Sequence, residues 1–400
     1  MTSESWRKNL YAMFVAEFIV IMGFSFVNPF MPLFIQELGA FNNQQAAFWA
    51  GIATSASGIA MFFSAPLWGI VADRWGRKPM VLRAMFGAGI VLALVGLAPN
   101  IYLVITLRFV QGLFSGTVAA ASALVAASTP RNKMPFAMGL LMVAVFTGQS
   151  FGPLMGGFAA DIMGYKAAFF ITGGLLFSGG FIVLFFVKEK FERPAKGQSA
   201  SLSSLLRLAR SKEMLPLLLV LCALHAGPQM ITPILSLFIR ELNPEGMAAT
   251  ASGLAFCFMG VIAAISAVIA GRLGEHTTLK RILVISCLGT GLLCLPPMLA
   301  QTVTQLVIFI ALTGLFAGGL MTSSNALIGL SVPHSQQGIA YGIAQSANAL
   351  GNGLGPLIGG SLAPLIGLRS VFGVTGGFFM LIGVAIGKLL RGATLEKSAT

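Results

Sequence analysis

The chain has 400 residues, of which 9% are charged and 56% hydrophobic, with a mean hydropathy of +0.88, whereas a soluble domain averages roughly 25% charged. No single water-soluble fold hides that much apolar surface, so a bilayer is the solvent for most of it. The net charge of +13, from 25 Lys and Arg against 12 Asp and Glu, falls in short clusters between apolar runs. No continuous basic face exists to track a phosphate backbone, which excludes nucleic-acid binding.

In chain order, runs of roughly twenty apolar residues predict helices over 10–38, 47–72, 80–98, 101–127, 136–160 and 166–187. After a polar stretch come 214–239, 249–271, 281–300, 303–330, 338–362 and 369–389. The fold class expected is an all-α integral membrane protein of twelve spans in two pseudo-symmetric six-helix bundles. Their bounds are 1–187 and 214–400, with a cytoplasmic linker over 188–213. The polar residues 1–9 lead into a run that is too long for a secretory signal and contains Glu17. In the charged, Ser-rich linker, Leu202, Leu205, Leu206 and Arg207 fit either a short surface helix or a solvated connection. Cys222, Cys257, Cys287 and Cys294 all sit within apolar runs without metal-site spacing, so they read as packing residues, and neither a metal nor a cofactor is expected.

Basic residues orient the spans. With both termini in the cytoplasm, 21 of the 25 Lys and Arg lie on that side, Lys166, Arg240 and Arg369 lie outside, and Arg108 falls within a span. The halves also repeat. Gly148-Gln-Ser-Phe-Gly-Pro-Leu-Met-Gly-Gly157 returns as Gly351-Asn-Gly-Leu-Gly-Pro-Leu-Ile-Gly-Gly360, and at the same offset Phe169 matches Phe372 and Thr172-Gly-Gly174 matches Thr375-Gly-Gly377. Duplication of a six-helix unit is a mark of secondary transporters.

Four motifs carry chemistry or mechanics. Between spans two and three lies Gly69-Ile-Val-Ala-Asp73-Arg74-Trp-Gly76-Arg77-Lys78-Pro79, a tight turn in which Gly76 can take positive φ. Span one carries Gly23-x5-Pro29-x-x-Pro32, and span four carries Arg108-x-x-Gln111-Gly112. In span five, small residues at Gly148, Gly152 and Gly156, with Gly157 and Pro153, clear a face for close backbone approach. Taken together and in this order, these motifs resemble the major facilitator superfamily, and the last resembles the antiporter motif of its twelve-span drug/proton exporters. Within that group, the Pro130-Arg131-Asn132-Lys133 loop and the overall pattern look most similar to MdtG-type multidrug exporters.

The resemblance implies that Gly69, Asp73, Arg74, Gly76, Arg77 and Lys78 form a cytoplasmic latch between the halves. A degenerate copy at Gly271-Arg-Leu-Gly-Glu275…Lys280 implies an asymmetric pair of latches. Where many relatives carry an acid at the cytoplasmic end of span four, this chain has Ala126, Ala127 and Ser128, so a charge relay through that position is not expected. The span-five motif is implied to pack where the halves meet and to limit leak.

Ionisable groups within spans are costly and therefore point to function. Glu17 is the only carboxylate well inside a span and is the first candidate for proton coupling or cation recognition. Arg108, on a motif that the resemblance ties to proton transfer, is the second; helix-rise arithmetic sets the two about 20 Å apart in depth, so no direct pair is expected. His225, beside Gly227-Pro228, fits helix packing as well as titration. Expected cavity liners are Phe24, Asn28, Gln111, Phe114, Gln149, Gln229, Asn325, Gln345 and Asn348. With 32 Phe and 19 Met, the chain suits adaptable recognition. No nucleotide-binding loop or nucleophile–base constellation is present, which argues against an enzyme. The expectation is a monomeric, multi-pass, proton-coupled exporter of small, largely apolar drugs. Export of one metabolite class, such as sugars, amino acids or a single antibiotic, is the alternative.

Overall fold

The computed structural model describes residues 3–39, 41–130, 133–189, 211, 214–330 and 337–389. The linker beyond Glu189, the Arg131-Asn132 pair, and the side chains of Asp73, Glu275 and Asn325 lie outside the described residues. Among the described residues, twelve helices are long and apolar enough to cross a membrane. Span one is Ser3–Phe26 followed by Met31–Gly39, span two Asn43–Trp75, span three Arg77–Val95, and span four Ile101–Phe114 followed by Thr117–Ser128. Spans five and six are Met134–Met163 and Tyr165–Phe186; span seven is Met214–Ile231 followed by Leu235–Leu242. Spans eight to twelve are Ala248–His276, Leu279–Leu293, Val303–Leu330, Gln337–Ile366 and Leu368–Leu389. Below, the near end is the end where span one starts and span twelve finishes.

Of the spans that hydropathy reads as single rods, spans one, seven and four are interrupted by a turn between two α-helical pieces, and span nine ends in a 3-10 turn at Pro296–Leu299. Span one turns at 27–30, where Pro29 cannot continue a helix, and restarts with Pro32 as its second residue. Span seven turns likewise around Pro233. Span four breaks at Ser115–Gly116, where Gly116 takes φ 109°. Only glycine adopts that left-handed conformation without strain.

The repeat extends from sequence into packing. Gly148, Gly152 and Gly156 seat on the backbone of Phe18, Met22 and Phe26 of span one, and Gly351, Gly355 and Gly359 seat on Cys222, Ala226 and Met230 of span seven. Close backbone approach replaces side-chain interlock in both places. At the far end, Phe34 meets Phe169 edge-on with ring centroids 4.9 Å apart, and the repeat partners Phe238 and Phe372 lie at 5.8 Å.

Between the first and last six spans, close contacts gather toward the far end. A side chain at Gly58 would lie 2.5 Å from the Gly353 backbone, and one at Gly360 would lie 2.6 Å from the Ala47 carbonyl. Gly157 seats on Ala249, and the Pro153 carbonyl faces Gly253.

Candidate functional site

The polar site is built around the break in span four. Ending a helix at Phe114 frees carbonyls that must find donors at membrane depth. Ser64 Oγ donates to the Gly112 carbonyl at 3.4 Å, Trp68 Nε1 to that of Leu113 at 2.7 Å, and an Arg83 Nη to that of Ser115 at 3.3 Å. The Arg83 guanidinium also lies 3.7 Å over the Trp68 ring, a cation–π contact that compensates part of its desolvation. The break is therefore braced from spans two and three.

Arg108 and Gln111 are brought together on the far side of this break. Arg108 Nη1 donates to Gln111 Oε1 at 2.9 Å, and Gln111 Nε2 donates to Ser115 Oγ at 2.9 Å. Both residues are buried, and Arg108 Nε has no hydrogen-bond partner. The span-four motif thus forms one chain of donors ending at the break.

Glu17 lies elsewhere. It is 0% exposed and no hydrogen bond of ordinary geometry reaches either carboxylate oxygen. Thr117, the first residue after the break, is a polar neighbour of the carboxylate. A helix N-terminus carries partial positive charge and favours a neighbouring carboxylate, so the break supplies the kind of environment that an acid in the bilayer needs. No hydrogen bond joins Glu17 to Arg108.

The cavity candidates divide. Gln345 and Asn348 meet across one helical turn at 3.5 Å, with Asn348 Oδ1 buried and unpartnered. Gln229 accepts from Thr232 Oγ1 at 2.9 Å. Gln149 is exposed, Phe24 and Asn28 are half-buried, and Phe114 packs against Gly87. His225, which packs beside Gly351, has Asn352 as its hydrogen-bonding neighbour.

At the near end, the candidate latch is tied within its own half. Gly76, at φ 98°, links spans two and three. The backbone N–H groups of Arg77 and Lys78 each donate at 2.8 Å to the Glu189 carboxylate, which caps span three. Lys78 Nζ donates to the Leu184 and Val187 carbonyls at the end of span six. Arg74 is exposed.

At the far end, polar bonds cross between the halves. Asp161 Oδ2 accepts from the backbone N–H and the hydroxyl of Thr250, both at 2.7 Å. Arg240 donates to Gln36 Oε1 at 3.1 Å and to the Tyr165 hydroxyl at 2.7 Å. Sequence reasoning missed Glu189, Asp161, Arg240 and Thr117 as functional positions. The Ser115-Gly116 pair inside an apolar run is a break signal that points to Thr117; long-range partners such as Asp161 and Thr250 leave no local trace.

The sequence matches the family model described as Major Facilitator Superfamily over residues 13–259 and 229–399. Multidrug resistance protein MdtG of Escherichia coli is 34% identical over 392 residues, covering 98% of this chain and 96% of that protein. Among solved structures, a variant of the nucleoside transporter NupG superposes with a TM-score of 0.80 at 14% identity, covering 94% of this chain and 98% of that one. A bacterial homologue of the lysosomal transporter Spinster, in an inward-facing and occupied conformation, superposes with a TM-score of 0.78 at 14% identity, covering 96% and 97%. At such identities the structural likeness speaks to the fold alone.

Proposed function

This chain belongs to the major facilitator superfamily and is a multi-pass membrane transporter, not an enzyme, and on that premise we propose that it exports small, largely apolar drugs or xenobiotics in exchange for protons. It works as a monomer by alternating access, with residues 1–187 and 214–400 as rocking bundles joined by the 188–213 linker. Both termini are cytoplasmic, in keeping with the bias of Lys and Arg to the near end. The far end then faces outward and is closed, so the conformation is inward-facing.

The observation that carries the coupling is Glu17, a carboxylate without solvent exposure or a hydrogen bond of ordinary geometry, set beside Thr117 at the N-terminus that the break in span four creates. An acid buried there favours taking up a proton or a cationic partner. Arg108, the second ionisable group at depth, acts through Gln111 and Ser115 on the same break. That the described bonds of the 69–78 segment run to Glu189 and span six supports a latch between the halves that is parted in this state. The name of the 34% identical relative supports a broad range of drugs.

Two measurements test this reading. An overexpressing strain is expected to tolerate compounds of several chemical classes; protection against one class only would replace the drug reading by the narrow-exporter one. In everted vesicles, substrate uptake is expected to follow ΔpH, and uptake indifferent to ΔpH would remove proton coupling.

A further inference from the structure

Span three carries an arginine that none of the motifs claims. Arg83 lies six residues beyond Arg77, the first residue of this span, where a basic side chain can run back along the helix to the membrane surface. Instead it enters the space between spans two, three and four. Arg83 Nη2 donates to the Ser115 carbonyl at 3.3 Å, and the guanidinium lies 3.7 Å over the Trp68 ring. Its Nε and Nη1 are buried without a hydrogen-bond partner. An arginine held there with so few bonds is costly, and such a cost at membrane depth points to function. One turn further along span three, a side chain at Gly87 would lie 2.5 Å from the Phe114 ring, so this face of span three also seats the end of the first piece of span four.

Beyond the break, the N-terminus of Thr117–Ser128 has Gly116 as its cap residue, with no side chain to bond the free N–H groups. Thr117 at its tip is buried and neighbours Glu17. Among the described residues, no charged group faces Glu17 from the elements packed on span one. Thr117–Ser128 has none; Asp161, Tyr165 and Lys166 belong to the far ends of spans five and six, and Lys133 and Lys188 to their near ends. On span one itself, Arg7, Lys8, Tyr11 and Glu37 are exposed. The uncapped helix end is thus the positive partner left to the carboxylate.

We propose that Arg83, together with Trp68, is a positioning residue for exchange of the Glu17 proton: by holding the Ser115 and Leu113 carbonyls, the two keep span four broken and aim the free N–H groups of Thr117–Ser128 at the carboxylate. Neither bonds to Glu17, so both act through span four. A continuous span four would spend those N–H groups on its own carbonyls and leave the buried acid without a partner. Arg108 reaches the same segment from the far side, through Gln111 and the Ser115 hydroxyl. Ser115 is therefore held between two arginines, one bonded to its carbonyl and one linked to its side chain. This inference rests on the reading of Glu17 as the coupling acid.

The test uses the full chain in detergent, without substrate or gradient, and reads the infrared band of the protonated Glu17 carboxyl as the difference from Glu17→Gln. In Arg83→Gln and in Trp68→Phe, the pH at which this band is half developed is expected to rise by about half to one pH unit, because losing the aimed N-terminus disfavours the charged carboxylate. Trp68→Phe keeps every charge, so a rise in Arg83→Gln alone means that the guanidinium acts by its charge, and overturns positioning. If Arg83→Gln does not reach the membrane, Trp68→Phe decides by itself: a rise supports the proposal and an unmoved band overturns it. A lower melting temperature in both variants with the band unmoved is the mark of a structural brace and also overturns it. In everted vesicles, the pH profile of uptake by Trp68→Phe is expected to move in the same alkaline direction. Uptake indifferent to ΔpH in the parent would remove the proton-coupling reading, whereas the band is read on Glu17 itself and holds or fails separately.

Discussion

Spans four and ten are repeat partners with opposite characters. Ser64 of span two donates to Gly112 of span four, and Ser266 of span eight donates to Leu315 of span ten, so the two helices sit alike in their bundles. Span ten runs unbroken from Val303 to Leu330, with Ile310 and Ala311 where span four holds Arg108, and Leu221 of span seven stands where span one holds Glu17. Small-residue backbone packing and a proline turn in the first span of each repeat are common to both halves; among the described residues, buried Glu and Arg, and the break in the fourth span of the repeat, belong to the first alone. Duplication thus supplied the scaffold, and the buried charges were concentrated on one copy.

The most damaging way to erase this difference is Glu17→Gln, which makes span one as uncharged at that depth as span seven. Its expected result is at least a roughly tenfold loss of ΔpH-driven transport in everted vesicles, with protein retained in the membrane, because a neutral amide cannot exchange the proton. Normal transport with unchanged pH dependence would move the coupling role elsewhere. Arg108→Ala comes next. It leaves Gln111 Oε1 buried without its donor, a loss of about 1–3 kcal/mol that should appear both as a lower melting temperature in detergent and as slower transport.

How much of this contrast the sequence displays depends on range. Twelve spans and the glycine repeat are written in local runs, and hydropathy placed their cores within a few residues. The breaks at Pro29 and Pro233 replaced continuous helices at 10–38 and 214–239, because hydropathy averages over a proline whose missing N–H ends a helix. Glu17 and Arg108 stand out as charges in apolar runs, yet their surroundings do not. That Thr117 sits by Glu17, or that Trp68 braces Leu113, depends on three helices converging, which no spacing along one helix encodes. Asp161 is a harder case, since an acid near a span end looks like ordinary surface until its partner 89 residues away is placed.

Asp161 sharpens the comparison at the far end. Span two caps itself: Asn42 accepts from Gln45 N–H at 2.8 Å, and Gln45 returns a side-chain bond. Span eight begins at Met247, whose side chain cannot cap, and takes its cap from Asp161 in the other half. Asp161→Ala is therefore expected to weaken far-end closure by about 1 kcal/mol, seen as a larger long-distance population between spin labels at Leu97→Cys and Leu299→Cys. Asn42→Ala should cost similar thermal stability without changing that distance. If the two variants shift the distance alike, the cap of span eight plays no part in closure.

The smallest expected effect isolates the break itself. Gly116 and Gly377 both have open space where a side chain would start, so an added methyl meets nothing at either site. They differ in backbone: Gly116 holds φ 109°, whereas Gly377 lies inside the regular helix Leu368–Leu389. Gly377→Ala is expected to raise stability by about 0.5–1 kcal/mol through helix propensity, and Gly116→Ala to lower it by about 1 kcal/mol through left-handed strain. Thermal melts of the two variants beside the parent decide the point. Opposite signs mean that the break in span four depends on the left-handed freedom of Gly116, while equal signs mean that the bracing from Ser64, Trp68 and Arg83 fixes the break without help from the glycine.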